Sequence, residues 1–102
     1  MKTLRDYIKG YGYVPILLIA EQKSKGVRYS LVKEENYDSF YYMKGEEVIK
    51  KEYIPNDLFP KLSIEHINHR HDESIINKIK ECDSYKKFVK FIKEQTGEEF
   101  KL

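Results

Sequence analysis

The chain has a single cysteine, Cys82, among its 102 residues, so it can form neither an internal disulfide nor an all-cysteine zinc site. The lone thiol fits a reducing compartment. An excess of one charge is also missing: 19 basic residues stand against 17 acidic ones, interleaved along the whole chain. That balance gives little long-range steering toward phosphate backbones. There is no long hydrophobic stretch. The longest unbroken apolar run, Val14 to Ala20, is too short to cross a bilayer, and charge rather than a small-residue cleavage site follows it. The N-terminal residues Met1 to Asp6 turn polar at once, so no signal peptide or anchor is expected. No glycine-rich phosphate loop, serine-centred elbow or paired-carboxylate constellation is visible. An enzyme is therefore unsupported.

What is present points to one α+β domain over residues 1–102, a length that buries roughly 60–70% of the unfolded surface and folds on one core. Val14 to Ala20 is apolar at every position, which predicts a strand covered on both faces, with Pro15 at its entrance because proline has no N–H for a ladder. On that reading the rest of the chain is arranged around this strand, and a charge at Leu17 or Leu18 prevents folding. The polar segment Glu21 to Gly26 is then a turn. Val27, Tyr29 and Leu31 alternate with Arg28 and Ser30 as the second strand of a hairpin, with Val32 breaking the alternation.

A second hairpin is predicted from Ser39–Met43 and Glu47–Ile54, with Gly45 between them; one helix from Asp38 to Tyr53 is the competing reading. Pro55 to Pro60 breaks regular structure, and Leu62 to Ile67 is a candidate fifth strand. Thr3 is placed to cap a short helix through Lys9, whose apolar stripe is Leu4, Tyr7 and Ile8. From Asp72 the period becomes helical, with Ile75, Ile76, Ile79 and Cys82, then Tyr85, Phe88, Val89 and Ile92, and Thr96-Gly97 as the stop. The Asp83-Ser84 pair divides this into two helices, Asp72–Glu81 and Ser84–Gln95; one long helix is the alternative. The predicted fold is thus a small, mostly antiparallel sheet with C-terminal helices packed on one face and the N-terminal helix at its edge.

Three segments, Thr3–Lys9, Ser74–Lys80 and Ser84–Lys90, share the order hydroxyl, apolar, any, polar, any, β-branched, lysine. Convergence of capped amphipathic helices accounts for this, and so does an internal structural duplication whose inter-unit cleft would be the binding site.

Four features carry candidate chemistry. His69 and His71 would share one face of an extended segment, where Asp72 or Glu73 could complete a zinc-like site; a solvated loop with Asp72 as helix cap is the plainer reading. The segment matches the H-x-H-x-D-H signature of metallo-β-lactamase-fold hydrolases only in its first three residues, and the chain is too short for that fold. Cys82 reads as a small buried hydrophobe, because Asp83 opposes a thiolate. Lys86, Lys90 and Lys93 line one helix face, which suits phosphates or simple solvation. Finally, nine tyrosines and five phenylalanines exceed what a small core needs. Tyr41 and Tyr42 must face opposite sides of a strand, so one is expected outside. Together with Tyr11 and Tyr13 they are the candidate partner-binding residues, since tyrosine combines large area with a polar tip.

The expected function is therefore a non-enzymatic protein-interaction module taking a protein or peptide, or a second copy of the chain, in a groove or at a sheet edge, with no cofactor and no membrane partner. A nucleic-acid binder and a histidine-based metal protein are the alternatives. In length and in its Lys/Glu/Ile/Tyr bias the chain resembles the small orphan proteins encoded by filamentous viruses of hyperthermophilic archaea. The resemblance is one of composition, without a motif, and implies a host-cytoplasmic binder or structural accessory. An AT-rich genome, as in phages of low-GC bacteria, produces the same bias.

Overall fold

Four antiparallel strands in the simple order β1-β2-β3-β4 form the sheet: β1 is Ile16–Ser24, β2 Val27–Glu34, β3 Ser39–Lys44 and β4 Glu47–Tyr53. A short helix α1, Leu4–Tyr7, precedes them, and α2, Glu73–Lys80, and α3, Asp83–Thr96, follow. The computed structural model describes residues 1–8, 16–34, 37–55 and 72–100. The candidate fifth strand at Leu62–Ile67, and Val14 and Pro15 of the apolar run, lie outside them.

Both hairpins close through two-residue turns that match the strand twist. Lys25 and Gly26 have φ of 52° and 81°, the double left-handed conformation of a type I′ turn. Gly45, at φ 60°, takes the first central position of the second turn, which favours glycine. The first turn is therefore shorter than the sequence suggests. Glu21 to Ser24 continue β1 and pair with β2 as far as Ser24↔Val27.

The apolar run is not the pivot of the sheet. Among the described strands β1 stands at one end of the order, and the pairing shifts from Leu18↔Val32 to Ala20↔Leu31, leaving Ile19 as an extra, bulged residue. The bulge lets Ile19 and Ala20 join Leu17 in one cluster, while Leu18 keeps 37% of its surface exposed. The apolar run thus reflects the bulge at Ile19 together with Ile16, which packs on the opposite face, while Leu18 stays partly exposed. The strands covered on both faces are β2, buried from Tyr29 to Lys33, and β3, buried from Phe40 to Met43.

On one face, Leu31, Phe40 and Tyr42 pack with Ile79, Phe88, Phe91 and Ile92 from the C-terminal helices. Phe91 and Phe88 lie 5.5 and 6.5 Å from the Tyr42 ring, and Phe100 meets Phe88 edge-on at 5.0 Å. Such pairs add about 0.5–1.5 kcal/mol each to simple burial. On the other face, Val32, Tyr41, Met43 and Val48 are covered by Leu4, Tyr7, Ile8 and Ile16. Val32, which breaks the alternation in the sequence, is buried here. The N-terminal helix is therefore not confined to the sheet edge: its side chains cover this second face, while the Val48 N–H donates to the Lys2 carbonyl at 2.7 Å and ties the segment to β4.

The C-terminal region is two helices. Asp72 caps α2 by accepting from the Ser74 N–H at 2.9 Å. The extended backbone of Cys82 then separates α2 from α3, with its side chain buried and its Sγ donating to the Lys78 carbonyl. Gly97, at φ 75°, ends α3 and donates its N–H to Lys93. Among the described residues no helix is long and apolar enough to cross a membrane.

Candidate partner-binding surface

Strand β4 supplies two of the five large apolar side chains exposed among the described residues, Ile49 and Tyr53. Its pairing with β3 slips between Tyr42↔Lys50 and Met43↔Val48, so Ile49 is bulged and stands 39% exposed; Tyr53, further along, is 66% exposed. The Ile54 N–H donates inward to Asp38 at 3.0 Å. By the alternation of an antiparallel ladder, Glu52 also faces inward, and the backbone groups of Lys51 and Tyr53 point away from the sheet. Along this outer edge the Val48 N–H donates to the Lys2 carbonyl.

Glu52 organises the side of β4 that faces α3. One carboxylate oxygen accepts from Lys87 Nζ at 2.7 Å; the other accepts from the Tyr42 hydroxyl at 3.2 Å and lies 3.9 Å from Lys50 Nζ. Burial pushes the Glu52 carboxyl up, but the Lys87 hydrogen bond, the Lys50 charge and the Tyr42 hydroxyl together outweigh it and hold the group below the usual glutamate range. Lys50 also rests over the Tyr42 ring, 5.9 Å from its centre. Lys87, Lys90 and Glu94 follow at helical spacing on α3, and with Tyr42, Lys50 and Phe91 they line a cleft of about 170 Å³. The cleft has an aromatic floor and a basic wall.

On the opposite face Tyr41 meets Tyr7 edge-on at 5.8 Å, lies under Lys51 and donates its hydroxyl to Glu34 at 3.4 Å. Burial, assisted by the neighbouring Glu34 charge, pushes its phenol up to about 12. A broader depression of about 530 Å³ opens beside it between α1 and the β3–β4 turn, over Leu4 and Met43.

Tyr41 and Tyr42 do face opposite sides of β3. The expectation that one of them lies outside is corrected: both are buried, because helices cover both faces of the sheet. Tyr42 still borders the cleft. Among the described residues the exposed tyrosines are Tyr37 and Tyr53, which no pattern in the sequence singles out. Tyr11, Tyr13, His69 and His71 lie outside the described residues. Of the two oxygen ligands considered for the histidines, Asp72 serves as the cap of α2 and Glu73 is its first residue. Among the described residues no group of three or more His, Cys, Asp or Glu is placed to hold a metal. Lys86, Lys90 and Lys93 are exposed on α3, and Lys93 pairs with Glu99 at 3.3 Å. The Lys87–Glu52 contact joins residues 35 positions apart, beyond the reach of any local pattern.

No protein-family model, no curated protein and no solved structure matches the chain.

Proposed function

We propose that the protein is a non-enzymatic interaction module that receives a partner segment along the outer edge of β4. The observation that carries this reading is the placement of Ile49 and Tyr53, both exposed, on a strand whose outward backbone groups at Lys51 and Tyr53 make no backbone hydrogen bond to the other described residues. An extended peptide gains main-chain hydrogen bonds at such an edge and specificity from alternate side chains. Tyrosine suits the contact because its area is large and its entropy cost low.

Pairing between two copies of β4 is disfavoured by the bulge at Ile49 and by the adjacent Lys50 and Lys51, the devices that keep edges from self-association. The reading accordingly favours a different chain over a second copy. Nucleic acid is a weaker partner, since Lys87 and Lys93 are each paired with a glutamate and the net charge is only +2.

The test is retention of a specific protein from extracts of the cells that make this chain, comparing wild type with an Ile49→Ser/Tyr53→Ser variant of equal thermal stability. Wild type retains a protein that the variant loses. Equal retention by both moves the surface elsewhere, and a wild type that sediments as a dimer while retaining nothing replaces the partner with a second copy.

A further inference from the structure

We infer that the cleft between β4 and α3 receives an acidic side chain of the partner segment, an inference that rests on the β4 reading above and names the chemistry of what binds there. Lys50, Lys87 and Lys90 converge on a space of about 170 Å³ whose floor is Tyr42 and Phe91. Glu52 balances part of this charge. Its two oxygens are already engaged by Lys87, the Tyr42 hydroxyl and Lys50. Among the described residues Lys90 makes no ion pair, and neither does Glu94, which lies one helical turn further along α3.

The cleft therefore holds three ammonium groups against one committed carboxylate, with a second carboxylate at its wall. A carboxylate entering from the β4 side would meet Lys90 and Lys50 while its aliphatic stem lay on Phe91 and Tyr42. Half of the fixed surroundings are thus in place, because the Glu52 bridge already orients Lys87 and the edge of Tyr42.

The same geometry disfavours a polyphosphate. Glu52 and Glu94 flank the lysines and would repel a continuous run of phosphates, and the cleft has room for one side chain rather than a tracking groove. An extended acidic segment satisfies both halves of the surface at once. Its backbone can follow β4 past Tyr53, where the neighbouring Lys50 and Lys51 favour negative charge, while one of its carboxylates turns over the strand into the cleft.

The experiment is a titration of the isotopically labelled full chain with blocked hexaglutamate, followed by amide and lysine side-chain shifts, with blocked hexalysine and an oligothymidylate as comparison probes. Hexaglutamate should produce saturable shifts centred on Lys50, Lys87 and Lys90 that weaken as salt rises; hexalysine should not. Lys90→Ala, at an exposed position without an ion pair, should leave stability unchanged and weaken binding about threefold. Glu94→Gln should strengthen binding about twofold, since it removes a repelling charge. Hexaglutamate shifts confined to Ile49 and Tyr53, or equal in the Lys90→Ala variant, overturn the acidic-cleft inference while the edge reading stands. Tighter binding by oligothymidylate, or no saturable shift with hexaglutamate, also overturns it. The retention experiment with Ile49→Ser/Tyr53→Ser judges the edge reading separately.

Discussion

The two faces of this sheet are fastened in different ways. One carries two helices whose Ile79, Phe88, Phe91 and Ile92 are buried on Leu31, Phe40 and Tyr42. The other carries, among the described residues, a helix of four residues, too short to be stable alone, that lies over Val32, Tyr41, Met43 and Val48. The first face holds the larger cluster of buried side chains. The second is a covering held by a few side chains, by the Lys2–Val48 hydrogen bond and by Asp6, whose carboxylate accepts from the Thr3 N–H at 2.8 Å. The cleft proposed to take a side chain of a partner lies on the first face, where Lys50 of β4 meets Lys87 and Lys90 of α3.

This contrast predicts unequal mutational costs. Leu17→Asp places an unpaired charge within the helix-covered cluster and should remove most of a total stability of about 5–15 kcal/mol, leaving no cooperative transition in thermal denaturation. Its neighbour Leu18→Asp should fold with a loss of about 0.5 kcal/mol, because that side chain is already partly exposed. A comparable collapse of both variants would restore the reading in which the apolar run is covered on both sides. One step down in size, Phe88→Ala should cost about 3–5 kcal/mol by denaturant unfolding. Tyr7→Ala, on the thin face, should cost about 1 kcal/mol and speed hydrogen exchange at α1 alone.

The faces should also separate by pH. Tyr41 on the thin face has its phenol raised from 10.0 to about 12 in the fold, so its contribution is complete below pH 10.0 and is lost as pH rises toward 12. The difference in stability between wild type and Tyr41→Phe, followed by denaturant midpoints, should therefore change in that alkaline window and be flat near neutrality. Glu52 on the strong face shows the opposite sign. Its carboxyl is held below the unfolded value of 4.5, so its contribution is present above that pH and lost as pH falls through the folded value. Glu52→Gln should cost about 1 kcal/mol at neutral pH and nothing in acid, where both forms are uncharged. A Glu52→Gln cost that persists unchanged in acid would show that packing, not the Lys87 and Lys50 charges, accounts for it.

Much of the fold was legible because local chemistry determined it. Asp72 and Gly97 marked the ends of the C-terminal helices, and Gly26 and Gly45 marked the hairpin turns, each through a backbone requirement visible in a few adjacent residues. The placement of β1 was not legible, since a bulge at Ile19 reads in sequence as continuous two-sided burial. Nor was the interior of the sheet, where Ser30 and Lys33 are buried beside apolar neighbours and hide the pattern of a covered strand. Lys33 is accommodated in part by donating to the Glu34 carbonyl at 2.8 Å. The candidate surface was the least legible. The tyrosine surplus does not say which tyrosines are exposed: the sheet buries Tyr41 and Tyr42 and leaves Tyr53 outside, and only tertiary contact brings Lys87 to Glu52.

The proposal that β4 receives a partner is tested most directly by placing a photo-crosslinking side chain at Tyr53 and, in a separate chain, at the exposed Lys25 turn, and irradiating each in the cells that make the protein. Position 53 should give a discrete protein adduct that is weakened by Lys90→Ala and missing from position 25. Adducts of the same pattern from both positions, or none from position 53, would contradict it.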